Sequence, residues 1–215
     1  MKLYLIRHGE SFLNLPNWTG GHINAGLTEL GHEQAKMLAS WLQKNIPEID
    51  ILYNSTLLRA IETAGYLSEN YEMPIHPDDR IREVSANRFD HSPWDNEKLP
   101  QEFEDFWGTD RPYVPIVREE GGESWMHFRL RVSMFIEEIC HKHAEKTVLV
   151  ICHGGVIEAT IAHIFNLGAW QNCDMRCDNT SITHFEYTQN QPRKPWRLYY
   201  HNRIEHLHEI NKITV

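Results

Sequence analysis

The chain has no apolar run near the roughly 18 residues that a membrane-crossing helix requires, and its mean hydropathy is −0.52. No membrane span is expected. Cysteine is also scarce: Cys140, Cys152, Cys173 and Cys177 are the only four among 215 residues, and none forms a C-x-x-C pair. That is too sparse for a disulfide framework, and they read as reduced thiols. Positive charge is short as well, with 21 Lys and Arg against 30 Asp and Glu and a net charge of −9. Nucleic acid, which calls for a basic face, is therefore not an expected partner. Internal repeats and low-complexity tracts are absent. The opening MKLYLIRHGES carries too short an apolar run for a secretory leader, so a cytoplasmic protein is expected.

The content that is present suits one globular domain spanning residues 1–215, with 41% hydrophobic and 24% charged residues, enough for a real core. The 14 histidines raise the question of metal. His141 with His143, and His206 with His208, are spaced by two, which on a helix points the rings to different sides. They read as solvated surface, and no metal or other cofactor is expected.

Residues 3–6 form a short apolar run without helical period, ended by Arg7-His8-Gly9, and read as a buried strand entering a loop. Residues 28–45 follow as a helix capped by Thr28, with Leu30, Leu38, Trp41 and Leu42 on one face. Residues 49–53 are the next strand. Ser55 is the expected cap of a helix running to Asn70, with Leu58, Ile61 and Leu67 at helical spacing. A long helix is expected over 123–145, then a β-branched strand over 147–152 (TVLVIC), then a helix over 156–165. Residues 181–187 and 196–200 read as two more strands joined by a turn. The alternation predicts an α/β fold with a mainly parallel central sheet and helices on both faces. Residues 88–122 interrupt it with Pro93, Pro100, Pro112, Pro115 and the aromatics Trp94, Phe106 and Trp107. They read as an inserted lid or cap, with a surface loop as the competing reading.

In an open parallel sheet, ligands bind beyond the carboxyl ends of the strands. Two strands here end in His-Gly, at His8-Gly9 and His153-Gly154, and a third ends at Asn54-Ser55 just before Arg59. If these strands are neighbours, two histidines meet Arg7 and Arg59 at one mouth. Paired guanidiniums and a helix amino terminus match phosphoryl oxygens, and a neutral imidazole is a competent nucleophile toward phosphorus. A small phosphorylated substrate is the expected partner.

These motifs carry a resemblance. Leu5-Ile6-Arg7-His8-Gly9-Glu10-Ser11 with Asn14, Leu27-Thr28-Glu29-Leu30-Gly31, Ser55-Thr56-Leu57-Leu58-Arg59-Ala60, Gly122-Glu123-Ser124 and Val150-Ile151-Cys152-His153-Gly154-Gly155 resemble, in order, the conserved blocks of the histidine phosphatase superfamily, which includes cofactor-dependent phosphoglycerate mutases. The resemblance implies that His8 is the phosphorylated nucleophile and that Arg7, Arg59 and His153 complete a phosphate pocket. It further implies that Asn14, Gly20, Gly21 and Gly154 contact substrate and that Glu83 is the proton donor to the leaving oxygen. Two segments depart from the family. Asn87 replaces a glycine after the acid, a swap read as tolerable because Asn visits positive φ. Residues 21–26 lack the Gly-Trp-x-Asp-x-Pro that relatives often carry. Val84-Ser85-Ala86-Asn87 also differs from the Arg-His-Tyr-Gly that follows the acid in mutases, which disfavours a mutase. The expectation is a metal-independent phosphomonoester hydrolase, with a mutase and a weakly active phosphate-binding module as alternatives.

Overall fold

The computed structural model describes residues 1–16, 24–100, 111–117, 119–169, 175–191 and 193–208. The order of elements is β1 (Lys2–Arg7), α1 (Glu29–Asn45), β2 (Ile51–Ser55), α2 (Leu58–Tyr71), β3 (Ile75–Asp78), α3 (Trp125–Lys142), β4 (Thr147–Cys152), α4 (Gly154–Ile164), β5 (Ile182–Tyr187) and β6 (Trp196–Arg203). Six strands form one sheet in the order β3-β2-β4-β1-β5-β6. β3, β2, β4 and β1 are parallel, whereas β5 and β6 run antiparallel at one margin. This is the expected α/β architecture with a mainly parallel sheet.

Alternation along the central strands divides the core in two. Leu3, Leu5, Val148 and Val150 face one side and pack with Phe128, Val132 and Phe135 of α3 and Val156 of α4. Tyr4, Ile6, Leu149 and Ile151 face the other and pack with Leu38 and Leu42 of α1 and Ala60 and Leu67 of α2. A run such as TVLVIC, apolar at every position, is what a strand covered on both faces requires. Thr28 caps α1 by accepting from the Gly31 amide at 3.0 Å, and Ser124 caps α3 in a reciprocal arrangement with His127.

Several local expectations change. β3 was not foreseen: His76, Pro77 and Asp78 give IHPD no apolar alternation, and it is an edge strand, where proline is tolerated. Ser55 is not the cap of α2; it ends β2, and Leu57 occupies the cap position. The buried face of α2 is Arg59, Ala60, Thr63, Ala64 and Leu67, while Leu58 and Ile61 are exposed, as is Leu30 on α1. Small side chains at 60 and 64 let α2 lie close to the sheet, and the larger apolar ones point away. His206 is buried, with Nε2 bonded to the Thr180 hydroxyl at 2.9 Å, and His143 is half-buried against the Tyr53 hydroxyl at 2.9 Å. The solvated-surface reading fails for both. His141 and His208 are exposed. Cys140, Cys152 and Cys177 are free thiols, and Cys173 lies outside the described residues. No helix among the described residues is long and apolar enough to cross a membrane.

Part of the 88–122 segment is described. Trp94 packs on Leu57, Ala86 and Leu99, its indole lies 4.0 Å under the Arg88 guanidinium, and Arg88 pairs with Gly122 across a β-bridge. The positive φ expected of Asn87 falls on Ser85 (71°) and His91 (70°). Asn87 instead uses its buried amide to donate to the carbonyls of Asp79 and His91, at 3.0 Å each.

Candidate active site

β1 and β4 are neighbours with Arg7 level with Cys152, so the two His-Gly corners emerge side by side at the carboxyl edge of the sheet. The rings of His8 and His153 lie 5.1 Å apart, tilted by 60°. Both are buried.

His8 is fixed on every side. Its amide donates to Cys152 O at 3.0 Å, and its carbonyl accepts from the Thr180 amide at 3.2 Å and the Asn179 side chain at 3.1 Å. Nδ1 lies 2.7 Å from Gly9 O. A carbonyl can only accept, so Nδ1 carries the proton and Nε2 keeps its lone pair. That lone pair accepts from Arg59 Nε at 3.0 Å. Burial, reinforced by Arg59 and Arg7, holds the His8 pKa well below the ordinary imidazole value. The ring is neutral at physiological pH.

Gly9 is dictated by close approach. A Cβ there would stand 2.6 Å from Gly31 O, and one on Gly31 would strike Glu10 O, because the amino end of α1 rests against the loop after β1. Arg59, on the first turn of α2, is buried, and burial pushes its pKa down to about 10. Arg7 donates from Nη1 to Cys177 O. His153 places Nε2 2.7 Å from Ser55 Oγ; its pKa is lowered by burial first and then by Arg59, His8 and Arg7.

Glu83 reaches the same edge from the segment after β3. Its Oε1 accepts from the Val84 amide at 2.9 Å and its Oε2 from the Gly155 amide at 3.3 Å. A Cβ on Gly155 would collide with Glu83 Oε1, so a larger residue there would push the carboxylate out of this position. A cleft of about 310 Å³ opens here, lined by Arg7, Glu83, Gly154, Gly155, Glu158 and Arg176 among others. Asn14 connects to His8 through Asn179: its Oδ1 accepts from the Ser11 amide at 2.9 Å and from the Asn179 side chain at 3.3 Å, and that side chain also donates to the His8 carbonyl. Gly20 and Gly21 lie outside the described residues. A larger recess of about 860 Å³ sits at the opposite edge of the sheet, but its lining has no histidine or arginine and sets Lys2 against Glu48, Asp50, Glu145 and Glu186. It would repel a phosphate.

Sequence reasoning missed the support beneath Glu83. Arg131 and Glu123 are wholly buried and bonded twice, Nη2 to Oε1 at 2.7 Å and Nε to Oε2 at 2.9 Å. The guanidinium also donates to the carbonyls of Arg80, Arg82 and Glu83 at 2.7, 2.7 and 3.0 Å. It gathers the turn that presents the acid. Ser55, Asn179 and Thr63, whose hydroxyl accepts from the Gly9 amide at 3.0 Å, were also unassigned. No local pattern reveals these contacts, since each acts across a large sequence separation. Among the described residues no group of three or more His, Cys, Asp or Glu could hold a metal ion. An oriented imidazole lone pair, the Arg59 guanidinium and a second imidazole stand together, and Arg7 and Glu83 line the adjoining cleft with Gly154, the residue after His153.

Comparisons with known proteins identify the family. A family model described as the histidine phosphatase superfamily (branch 1) matches residues 3–197. Phosphoserine phosphatase 1 of Hydrogenobacter thermophilus is 31% identical over 88% of this chain and 89% of its own. A 2,3-bisphosphoglycerate-dependent phosphoglycerate mutase of Gloeothece citriformis is 29% identical over 77% of this chain and 85% of its own. Among solved structures, a phosphoserine phosphatase variant of Entamoeba histolytica in complex with phosphoserine aligns with a TM-score of 0.71 at 25% identity, covering 96% of this chain and 98% of that one.

Proposed function

The chain belongs to the histidine phosphatase superfamily and is a phosphatase of small phosphorylated metabolites, and from that premise we propose that it works in the cytoplasm, without metal, through a phosphohistidine on His8. The observation that carries this reading is the His8 tautomer: with Nδ1–H bound to Gly9 O, the lone pair sits on Nε2 beside Arg59.

In this reading the phosphate enters between Arg7 and Arg59, and Arg59 shifts its Nε–H from the His8 lone pair to a phosphoryl oxygen. Nε2 attacks phosphorus as the bond to the leaving oxygen breaks. The imidazole becomes cationic, and its Nδ1–H···O=C bond to Gly9 strengthens as that charge develops. Protonated Glu83 gives its proton to the leaving oxygen, then as carboxylate takes one from the water that attacks the phosphohistidine. Inorganic phosphate leaves and the cycle closes. His153 and Arg7 hold the phosphoryl oxygens throughout, with Gly154 lining the cleft and Asn14 contacting substrate from the loop after β1. The described part of the inserted segment, whose Trp94 packs on Leu57 at the start of α2, acts as a cap beside this mouth.

Glu158 and Arg176, whose guanidinium is also paired with Asp178 at 3.0 Å, flank the cleft with one charge of each sign beyond the phosphate donors. A small ester carrying both an ammonium and a carboxylate fits them, and the relatives named as phosphoserine phosphatases support O-phosphoserine as the type. Hydrolysis is favoured over mutase chemistry by Val84-Ser85-Ala86-Asn87, which lacks the mutase residues after the acid.

The test is phosphate release from O-phosphoserine, phosphoethanolamine, 3-phosphoglycerate, glycerol phosphate and p-nitrophenyl phosphate in EDTA. Turnover should persist under chelation and be blocked by vanadate. Activity lost in EDTA and restored by a divalent metal overturns the reading. Conversion of 3-phosphoglycerate to its isomer without phosphate release points to the mutase instead.

A further inference from the structure

We infer that Ser55 is a positioning residue that fixes which nitrogen of His153 carries the proton. The inference rests on the proposed role of His153 as a donor to the phosphoryl group. Ser55 ends β2, wholly buried, next to β4 in the sheet. Its Oγ accepts from the Leu57 amide at 3.3 Å and lies 2.7 Å from His153 Nε2. A hydroxyl has one hydrogen to give. Two arrangements of that hydrogen are available.

In the first, Nε2–H donates to Ser55. The serine hydrogen then has no acceptor among the described residues, and His153 Nδ1 is left as a bare buried acceptor. In the second, Ser55 donates to Nε2 while still accepting from Leu57, and Nδ1 carries the imidazole hydrogen. Nδ1 is buried and has no partner among the described residues. The first arrangement strands two buried groups and the second only one, and each stranded buried group carries a desolvation penalty. The second arrangement is favoured. The two ring nitrogens point in roughly opposite directions, so Nδ1–H is turned away from Ser55, on a ring packed against His8. A neutral imidazole in that state donates to a phosphoryl oxygen without adding a net charge that Arg7 and Arg59 would repel. His8 and His153 thus share one tautomer through different partners, a backbone carbonyl for one and a serine hydroxyl for the other. His8 is left with a lone pair on Nε2 facing Arg59, and His153 with a proton on Nδ1.

The experiment is 15N-edited NMR of the histidine rings in the full chain, with the His153 pair of resonances identified by its loss in His153→Gln. Wild type should show a protonated Nδ1 and a lone-pair Nε2 at residue 153 at neutral pH. Ser55→Ala should move the proton toward Nε2, with kcat for O-phosphoserine falling by about tenfold to a thousandfold, the range for misdirecting one donor to developing charge, while KM is held. A wild-type His153 protonated on Nε2 overturns the inference, as does a Ser55→Ala protein that keeps both the Nδ1–H tautomer and its kcat. Because the NMR reading needs no turnover, it separates failure of this inference from failure of the phosphatase mechanism, which His8→Ala tests.

Discussion

Two pairs of buried histidines lie in different parts of the sheet, one at the ends of the central strands β1 and β4 and one toward the β5-β6 margin, and only the first has chemistry around it. His8 and His153 stand at the mouth of the parallel strands. His184 and His206 lie toward the antiparallel margin, His184 stacked between Tyr4 at 4.2 Å and Tyr199 at 4.8 Å, and His206 near Trp41 with its ring bonded to Thr180. Burial depresses all four pKa values, and takes His184 and His206 each down to about 4. The neighbours differ. Arg59 and Arg7 push the first pair further down, whereas Glu186 and Glu205 pull the second pair back up. Neutrality therefore follows from burial anywhere in the fold. A nucleophile needs in addition a fixed lone pair and cations that neutralise the incoming anion.

The sharpest way to break this contrast is to delete one member of each pair. His8→Ala should lower turnover of O-phosphoserine by about ten-thousandfold or more, as loss of a covalent nucleophile does, and rapid quench should find no acid-labile phosphate on the peptide containing residue 8. His206→Ala should keep most of its activity although His206 is buried too. Comparable losses in the two variants would mean that His8 acts through packing alone. The next effect in size belongs to Glu83. Glu83→Gln keeps the shape of the side chain but has no proton to give, so single-turnover phosphorylation by alkyl phosphates should slow by about a hundredfold to ten-thousandfold. p-Nitrophenyl phosphate, whose phenolate leaves unaided, should slow much less. Equal slowing for both would remove Glu83 from the role of acid.

The same contrast explains what could be read from the sequence. His8 and His153 were legible because each ends an apolar run and precedes glycine, a local pattern with one structural meaning in a parallel sheet. His206 was misread because its burial comes from Thr180 and Trp41, which lie 26 and 165 positions away in the chain. Spacing by two from His208 carries no trace of them. α2 shows the same limit: Leu58 and Ile61 have the right period, but the small faces of Ala60 and Ala64 decide which side meets the sheet. β3 was lost because an edge strand with proline has neither alternation nor a continuous apolar run. The Arg131–Glu123 pair was invisible for a different reason. A charged residue on an amphipathic helix is normally solvated, and only the carbonyls of residues 80, 82 and 83, turned inward, make its burial tolerable.

Substrate choice gives a smaller effect. If Glu158 faces an ammonium at the cleft, Glu158→Gln should lower kcat/KM for O-phosphoserine and phosphoethanolamine by up to about fivefold, the scale of a partly solvated ion pair worth up to ~1 kcal/mol. Glycerol phosphate should be unaffected. A uniform loss across all three esters would assign Glu158 to the fold of α4 rather than to the substrate, and would weaken the amino-acid ester reading without touching the reaction.

The smallest difference between the two pairs is in stability, where they should behave alike. Each buried histidine is neutral in the folded chain and takes a proton below about pH 6.5 once unfolded. Below that value the unfolded state binds more protons, so folding free energy falls as the pH drops toward the folded pKa; above it, both states are neutral and nothing changes. For His8 and His153, both fully desolvated, the slope approaches ~1.4 kcal/mol per pH unit for each ring. Urea midpoints should be flat above about pH 7 and fall through pH 6 and 5. His8→Asn removes one titrating ring, so its midpoint should fall less steeply than wild type over that window, and His206→Asn should flatten the curve in the same direction. The two variants would then agree in acid stability while differing by orders of magnitude in turnover. If His8→Asn instead unfolds with the wild-type slope, His8 is protonated in the folded protein below neutral pH. Its lone pair would then be blocked in that range, and activity should fall with it.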